Sequence, residues 1–425
     1  MRLLTRAREV LALYTDRRML AILGMGFASG LPLPLTTSTL SYWLSKVGVD
    51  KTTIGLFALV GLPYSLKFLW SPVLDHLPIP VLGRRLGQRR SWALLAQLSL
   101  VASIAALGAT DPAQAPWATA RLALALAFFS ATQDIAIDAY RIEVLADREQ
   151  GAGAAATQTG YRIGLLVAAA GAIAFADFAP WRVVFGALAA AMGVGIASVL
   201  LGPAPPVLAR AGGDPSWSAL LERAVAAPLR DFSTRPMWGA ILAFAMLYKF
   251  GDAVAGVMAN KFYVDLGFSG VEIASVTKVL GLAASIGGVL VGGVLVAQLG
   301  IYRALALGGL LQVPSLLLFA FAAHLGHDLG GLALAVGADS FSGGVAGAAL
   351  VAYLSSLCRG AYTATQYALL TSLMAAGRTG LASGAGWLAA QLEWAPFFSV
   401  TALLAAPGLL LLLWIWRATR LRVAR

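Results

Sequence analysis

The chain is a succession of apolar blocks, each long enough to cross a bilayer, separated by short segments that hold most of its arginines. A spanning helix needs about 20 mostly apolar residues, whereas the strands of a bacterial membrane barrel show only a weak alternation over about 10. Blocks this long and this rich in Leu, Ala and Gly read as helices and exclude a barrel. Water-soluble packing is excluded too, because 59% of the 425 residues are hydrophobic, only 12% are charged, and the mean hydropathy is +0.79. The expectation is an all-α membrane protein.

Hydropathy places twelve spans, at 19–45, 52–74, 91–110, 116–140, 152–176, 181–201, 237–263, 269–298, 301–324, 328–358, 361–391 and 394–416. Six precede and six follow a Gly/Pro-rich break. The chain is therefore expected to form an N-terminal six-helix bundle (1–201), a linker (202–236) and a C-terminal six-helix bundle (237–425). Within the linker, Trp217 to Leu229 reads as a short interfacial helix. The first block is too long for a signal-peptide core and lacks a convincing cleavage site, so the mature chain is expected to start at Met1.

Lys and Arg fix an orientation. Counted in alternate loops, 21 of the 31 fall on one side, including Arg2, Arg6, Arg84, Arg89, Arg141, Arg223 and Arg420, against Lys46, Lys51, Arg182 and Lys261 on the other. Both termini and the linker are thus expected in the cytoplasm. The same distribution accounts for the net charge of +11 without nucleic acid as a partner. A single cysteine, Cys358, rules out an intrachain disulfide, and His76, His324 and His327 form no cluster with metal-ligand spacing, so neither a metal nor another cofactor is expected.

An ionisable group in a spanning helix costs about 2.5–3.5 kcal/mol on insertion scales, so it persists where it pairs or meets water. Ten fall inside the expected spans: Lys67, Arg121, Asp134, Asp138, Arg162, Lys249, Asp252, Lys278, Asp339 and Arg378. Asp134 and Asp138 are four apart and share a helix face, an arrangement suited to carrying a proton. The alternative is structural, with Asp138 pairing with Arg141. Asp252 and Asp339 are the other acids at membrane depth. Lys249 and Asp252 are three apart and suited to neutralising each other. Arg162 and Arg378 have no acid within a turn, so they call for partners on other helices or an anionic ligand. Lys67 and Lys278 are suited to the same role, with snorkelling past the nearby Trp70-Ser71-Pro72 end as the alternative for Lys67.

Gln133 is placed either to bind a sugar hydroxyl or amide or to bridge helices. Tyr248 and Trp387 lie deep enough to stack on a sugar ring, with helix packing as the alternative. Trp43, Trp70, Trp117, Trp181, Trp238, Trp394, Trp414 and Trp416 fall near span ends, as an interfacial belt would. Gly26 and Gly30, and Gly343, Gly344 and Gly347, point to close helix approach.

The two halves echo each other: Tyr161-Arg162-Ile163-Gly164 answers Gly377-Arg378-Thr379-Gly380, and Ala156-Thr157-Gln158 answers Ala364-Thr365-Gln366. Six plus six helices about a cytoplasmic linker is the layout of the major-facilitator transporters. Six runs in order carry a closer resemblance: GFASGLPL from Gly26, KFLWSPVLD from Lys67, ATQDIAIDA from Ala131, GAGAA from Gly151, YKFGD from Tyr248 and ATQYALL from Ala364. Together they resemble the AmpG-type muropeptide permeases of the major facilitator superfamily. The loop from Asp75 through Arg90 is a stretched form of that superfamily's Gly-x-x-x-Asp-Arg gating motif.

The resemblance implies a major facilitator fold in a bacterial inner membrane and proton-driven import of anhydro-muropeptides (GlcNAc-anhydroMurNAc peptides) for peptidoglycan recycling. The partners it implies are a small sugar-peptide, protons and the lipid bilayer, with the chain working as a monomer. It implies no enzymatic step. Gln133, Asp134 and Asp138 match the family's fourth-helix motif, and Lys249 with Asp252 its seventh-helix motif. The alternatives are a siderophore importer of the same architecture and, from another class, a membrane-embedded enzyme, for which no nucleophile or metal set is evident.

Overall fold

A computed structural model describes residues 16–49, 57–205, 230–231, 233–234, 236–358, 362–382 and 384–423. Lys51, the expected interfacial helix Trp217 to Leu229, the side chain of Arg378, and several terminal and linker arginines, Arg2, Arg6, Arg223 and Arg420 among them, lie outside the described residues or side chains. The fold is all-helical. Nine helices among the described residues are long and apolar enough to cross a membrane. These are α1 (Arg17–Lys46), α3 (Gln88–Gly108), α4 (Pro116–Val144), α6 (Trp181–Leu201), α7 (Trp238–Asp265), α8 (Val271–Leu299), α9 (Ile301–Leu325), α10 (Leu329–Ser356) and α12 (Trp394–Thr419).

Three further helical segments fill the second, fifth and eleventh places. The first, α2, is a chain of short turns from Phe57–Gly61 through Ser71–His76, interrupted at Pro63 and Pro72. The second, α5, is Gln150–Leu166 continued by a π-helical turn, Val167–Gly171, and by Ala172–Phe175. The third, α11, is Thr363–Ala382 followed by Ala385–Gln391. Each is broken or studded with polar residues.

The chain divides into two compact units. One is built from described residues within Leu11–Leu229 together with those of Cys358–Ser372, so the first turns of α11 pack with it; the other is built from those within Arg230–Leu357 and Leu373–Arg425. In the first unit α1 lies backbone to backbone on α5. A Cβ at Gly26 would collide with the Thr157 carbonyl and one at Gly30 with that of Tyr161, while Gly160 and Gly164 stand equally close to Leu23 and Phe27. In the second unit α8 and α10 meet the same way, Gly288 on the Phe341 carbonyl and Gly344 on that of Ser285. Small residues let the backbones approach where lipid supplies no hydrophobic drive.

Arginines close helix ends. The Arg90 guanidinium donates to the Val199 and Leu200 carbonyls and Arg17 Nε to that of Leu201, satisfying the last turn of α6. Arg18 bonds both Asp16, the N-cap of α1, and Glu149 at the start of α5. Its guanidinium, hydrogen-bonded to Asp16, holds that carboxyl below the usual carboxylate range. The tryptophan belt holds only in part: Trp117 is 77% exposed, but Trp43 is buried and stacks on Trp181 at 5.4 Å. Aromatic packing with Phe185 draws both rings into the core of the first unit.

Candidate functional site

Helix α4 carries the centre of the first unit's site. From Ser130 to Arg141 every residue is buried except Asp134 and Asp138, which share a face and remain half-buried. Ser29 of α1 donates to Asp134 at 2.5 Å. Lys67 of α2, itself buried, lies within electrostatic range of both carboxylates. Arg141, fully buried one turn beyond Asp138, approaches it at 3.7 Å and lies 5.4 Å from the Tyr367 ring centre. Residues of α1, α2 and α4 thus converge on two carboxylates that remain half-buried. Gln133 faces the other way: its Nε2 donates to the Ala28 carbonyl, and the residue is wholly buried, which makes it a tie between α4 and α1. Arg162 is half-buried on α5, one residue from Tyr161, whose carbonyl crowds Gly30 of α1.

A second polar set closes one end of the same unit. Arg89 bonds Asp75 at 2.6 Å and Glu143 at 2.7 Å, with all three side chains at most 2% exposed. Asp75 also accepts from the Thr365 amide at 3.0 Å and from its hydroxyl at 2.6 Å. A carboxylate at a helix start satisfies free N–H groups and suits the positive end of the dipole, so Asp75 holds the first turn of α11 against α2, α3 and α4. Sequence reasoning counted Arg89 and Arg141 as loop cations and passed over Glu143. The signal available was the charge spacing Asp138, Arg141, Glu143 at the end of α4.

The second unit gathers Lys249 and Asp252 of α7 with Asp339 of α10. Lys249 and Asp252 bond at 2.9 Å, each somewhat over a quarter exposed. Both lie within electrostatic range of Asp339, whose carboxylate accepts from Ser315 of α9 at 3.5 Å. Ser315 in turn receives Ser342 at 3.1 Å. Ser29 and Ser315 are the site residues that the sequence did not mark, since a serine in a span carries no hydropathy signal.

The other expected residues fall outside these clusters. Tyr248 is 2% exposed, its hydroxyl donates to the Leu305 carbonyl at 2.7 Å, and its ring meets Phe244. It packs α7 on α9 and presents no ring face for a sugar. Trp387 is 71% exposed on the outer part of α11. Lys278 is exposed in a π-helical turn, Ser275–Leu280, beside exposed Val279 and Leu280, and makes no ion pair among the described residues.

The helix count, the charged interior of each unit and the close α1–α5 packing fit one profile, described as Major Facilitator Superfamily, which matches residues 18–380. The chain belongs to that superfamily. Within it the chain is of the AmpG type. It is 40% identical to the anhydromuropeptide permease of Escherichia coli K12 over 95% of this chain and 81% of that protein. It is also 33% identical to an AmpG 4 transporter of Rickettsia felis over 95% of this chain and 97% of that one. The same fold is seen in FucP, a major facilitator transporter solved in an outward conformation, with a TM-score of 0.70 at 11% identity over 93% and 98% of the two chains. The human organic anion transporter MFSD10 gives 0.65 at 17% identity over 96% and 99%. This AmpG-type protein is a multi-pass membrane transporter and not an enzyme.

Proposed function

We propose that this transporter imports anhydro-muropeptides across the bacterial inner membrane, driven by the proton gradient and without a bound cofactor, and so feeds peptidoglycan recycling. The substrate class is supported by the 40% identity to the E. coli permease along nearly the whole chain. The driving ion is supported by one observation above the rest: Asp134 and Asp138 are the two accessible positions in a buried stretch of α4. Two carboxylates one turn apart, faced by one lysine, can trade a proton for a cationic contact at little cost.

In this reading Lys67 and Arg162 in the first half, with Lys249, Lys278 and Arg378 in the second, receive the stem-peptide carboxylates. The chain works as a monomer of two six-helix halves, 1–201 and 237–425, with the linker 202–236 and both termini in the cytoplasm. The positive residues crowded on that side support the orientation.

The test is uptake by proteoliposomes holding the purified chain. Labelled GlcNAc-anhydroMurNAc-tripeptide should accumulate against its gradient only when the lumen is alkaline. Accumulation of a ferric siderophore with none of the sugar-peptide would overturn the substrate, and accumulation unaffected by a protonophore would overturn the coupling.

A further inference from the structure

Arg121, like Lys278, stands apart from the acid clusters at membrane depth. It lies on α4 five residues in from Pro116, is exposed, belongs to neither acid cluster, and makes no hydrogen bond or ion pair among the described residues. Such a cation costs about 2.5–3.5 kcal/mol to insert unless it finds a counter-charge, and the described residues supply none here.

Its surroundings define what could. Arg121 lines a groove of about 430 Å³ with Phe57, Leu59, Val60, Trp117, Ala120 and Leu124. The groove lies between α4 and the first two short helical turns of α2, Phe57–Gly61 and Leu62–Leu66. A second groove of about 300 Å³ continues along α4, with Phe128 and Thr132 against Trp70, Trp92 and Leu95. Trp117, Arg121, Leu124, Phe128 and Thr132 recur every three or four residues and form one face of α4, distinct from that of Asp134 and Asp138. Arg121 to Thr132 spans about 16 Å at the helical rise of 1.5 Å per residue, close to half of a hydrocarbon core of about 30 Å. One turn above Arg121, Trp117 marks the headgroup level.

We propose that this face of α4 binds one anionic phospholipid. Its phosphate sits on the Arg121 guanidinium, whose planar fork matches phosphate oxygens, and its acyl chain runs along Leu124 and Phe128 into the second groove. Among the described residues no carboxylate lines either groove to receive an ethanolamine ammonium, and phosphatidylglycerol is favoured over phosphatidylethanolamine. The leaflet-long apolar lane below a single cation is the shape of a lipid.

The test uses the full chain released from equal mixtures of the two lipids and weighed by native mass spectrometry. Wild type should retain one phosphatidylglycerol. Arg121→Gln should lower its retention relative to phosphatidylethanolamine about tenfold, the size of one charge-assisted contact. Ala120→Trp, which fills the first groove and leaves the charge, should displace the lipid as well, and it decides the matter if Arg121→Gln does not fold. Phosphatidylglycerol with a photoactivatable acyl chain should cross-link to the peptide containing Phe128. Equal retention of both lipids by wild type, unchanged retention by both variants, or cross-links spread to exposed faces such as Val271 and Val279 would overturn the site. Recovery of a second copy of the chain in place of lipid would do so too.

Discussion

Asp252 of the second unit finds its cation one turn away on its own helix, whereas Asp134 of the first finds its partners on two other helices. The Lys249–Asp252 pair stays intact however α7 moves as a body. Asp134 is bonded by Ser29 from α1 and faced by Lys67 from α2, so a shift of either helix against α4 changes the surroundings of its charge. A carboxylate balanced from outside its own helix ties proton occupancy to helix arrangement, because each protonation state then favours a different arrangement. A carboxylate balanced within its own turn provides a fixed charge. If transport is proton-driven as proposed, Asp134 has the surroundings of a coupling group and Asp252 those of a standing counter-charge.

The largest expected effect follows from neutralising the coupled group. A gradient of one pH unit supports about tenfold accumulation for each proton coupled, since that unit is worth about 1.4 kcal/mol. Asp134→Asn should reduce accumulation in proteoliposomes to the equilibrium level while leaving exchange of labelled for unlabelled substrate intact. Asp252→Asn should retain most of the accumulation. The reverse result, with Asp252→Asn uncoupled and Asp134→Asn accumulating, would exchange the roles of the two carboxylates.

A second, smaller effect lies in pairwise energies. The Lys249–Asp252 bond is one turn long and partly exposed, a geometry worth about 0.3–0.5 kcal/mol. Lys67 is buried and serves two carboxylates, so its coupling to Asp138 should fall in the range of about 0.5–3 kcal/mol found for groups sharing a network, above that of the partly exposed pair. Double-mutant cycles of Lys67→Met with Asp138→Asn, and of Lys249→Met with Asp252→Asn, followed by thermal unfolding in nanodiscs, measure both. Equal couplings would remove the distinction between a cross-helix and a same-helix balance.

The spans were legible because length and hydropathy decide them: α6 begins and ends where expected, at Trp181 and Leu201. The glycine contacts were legible because Gly26 and Gly30 at helical spacing have few other uses. What stayed hidden was the face each polar residue takes. Tyr248 and Trp387 looked alike at membrane depth, yet one is enclosed with its hydroxyl on Leu305 and the other is mostly exposed. Arg89 looked like one more loop cation and proved to be the buried centre of Asp75 and Glu143. Periodicity cannot separate these cases, because the partner belongs to another helix. The three least regular helices, α2, α5 and α11, carry Lys67, Arg162 and Arg378, so weak hydropathy there accompanies the polar work of the protein.

The smallest effect concerns the two serines, which the sequence did not distinguish at all. Ser29 donates to Asp134 at 2.5 Å, and Ser315 reaches Asp339 only at 3.5 Å, the limit at which a hydroxyl–carboxylate contact still counts as a hydrogen bond. Ser29→Ala frees the Asp134 side chain to spread over rotamers the hydroxyl now excludes. Holding one side chain in one rotamer is worth about 0.5–1.5 kcal/mol, so the initial rate of gradient-driven uptake should fall about threefold to tenfold. Ser315→Ala should stay within about twofold of wild type, because a bond that weak restrains little. Ser29→Thr separates hydrogen bonding from packing: it keeps the donor, and a rate near wild type would assign the alanine defect to the lost bond. A fall as deep as that of alanine would instead assign it to the crowded α1–α5 contact around Gly30, and the cross-helix hold on Asp134 would then rest on Lys67 alone.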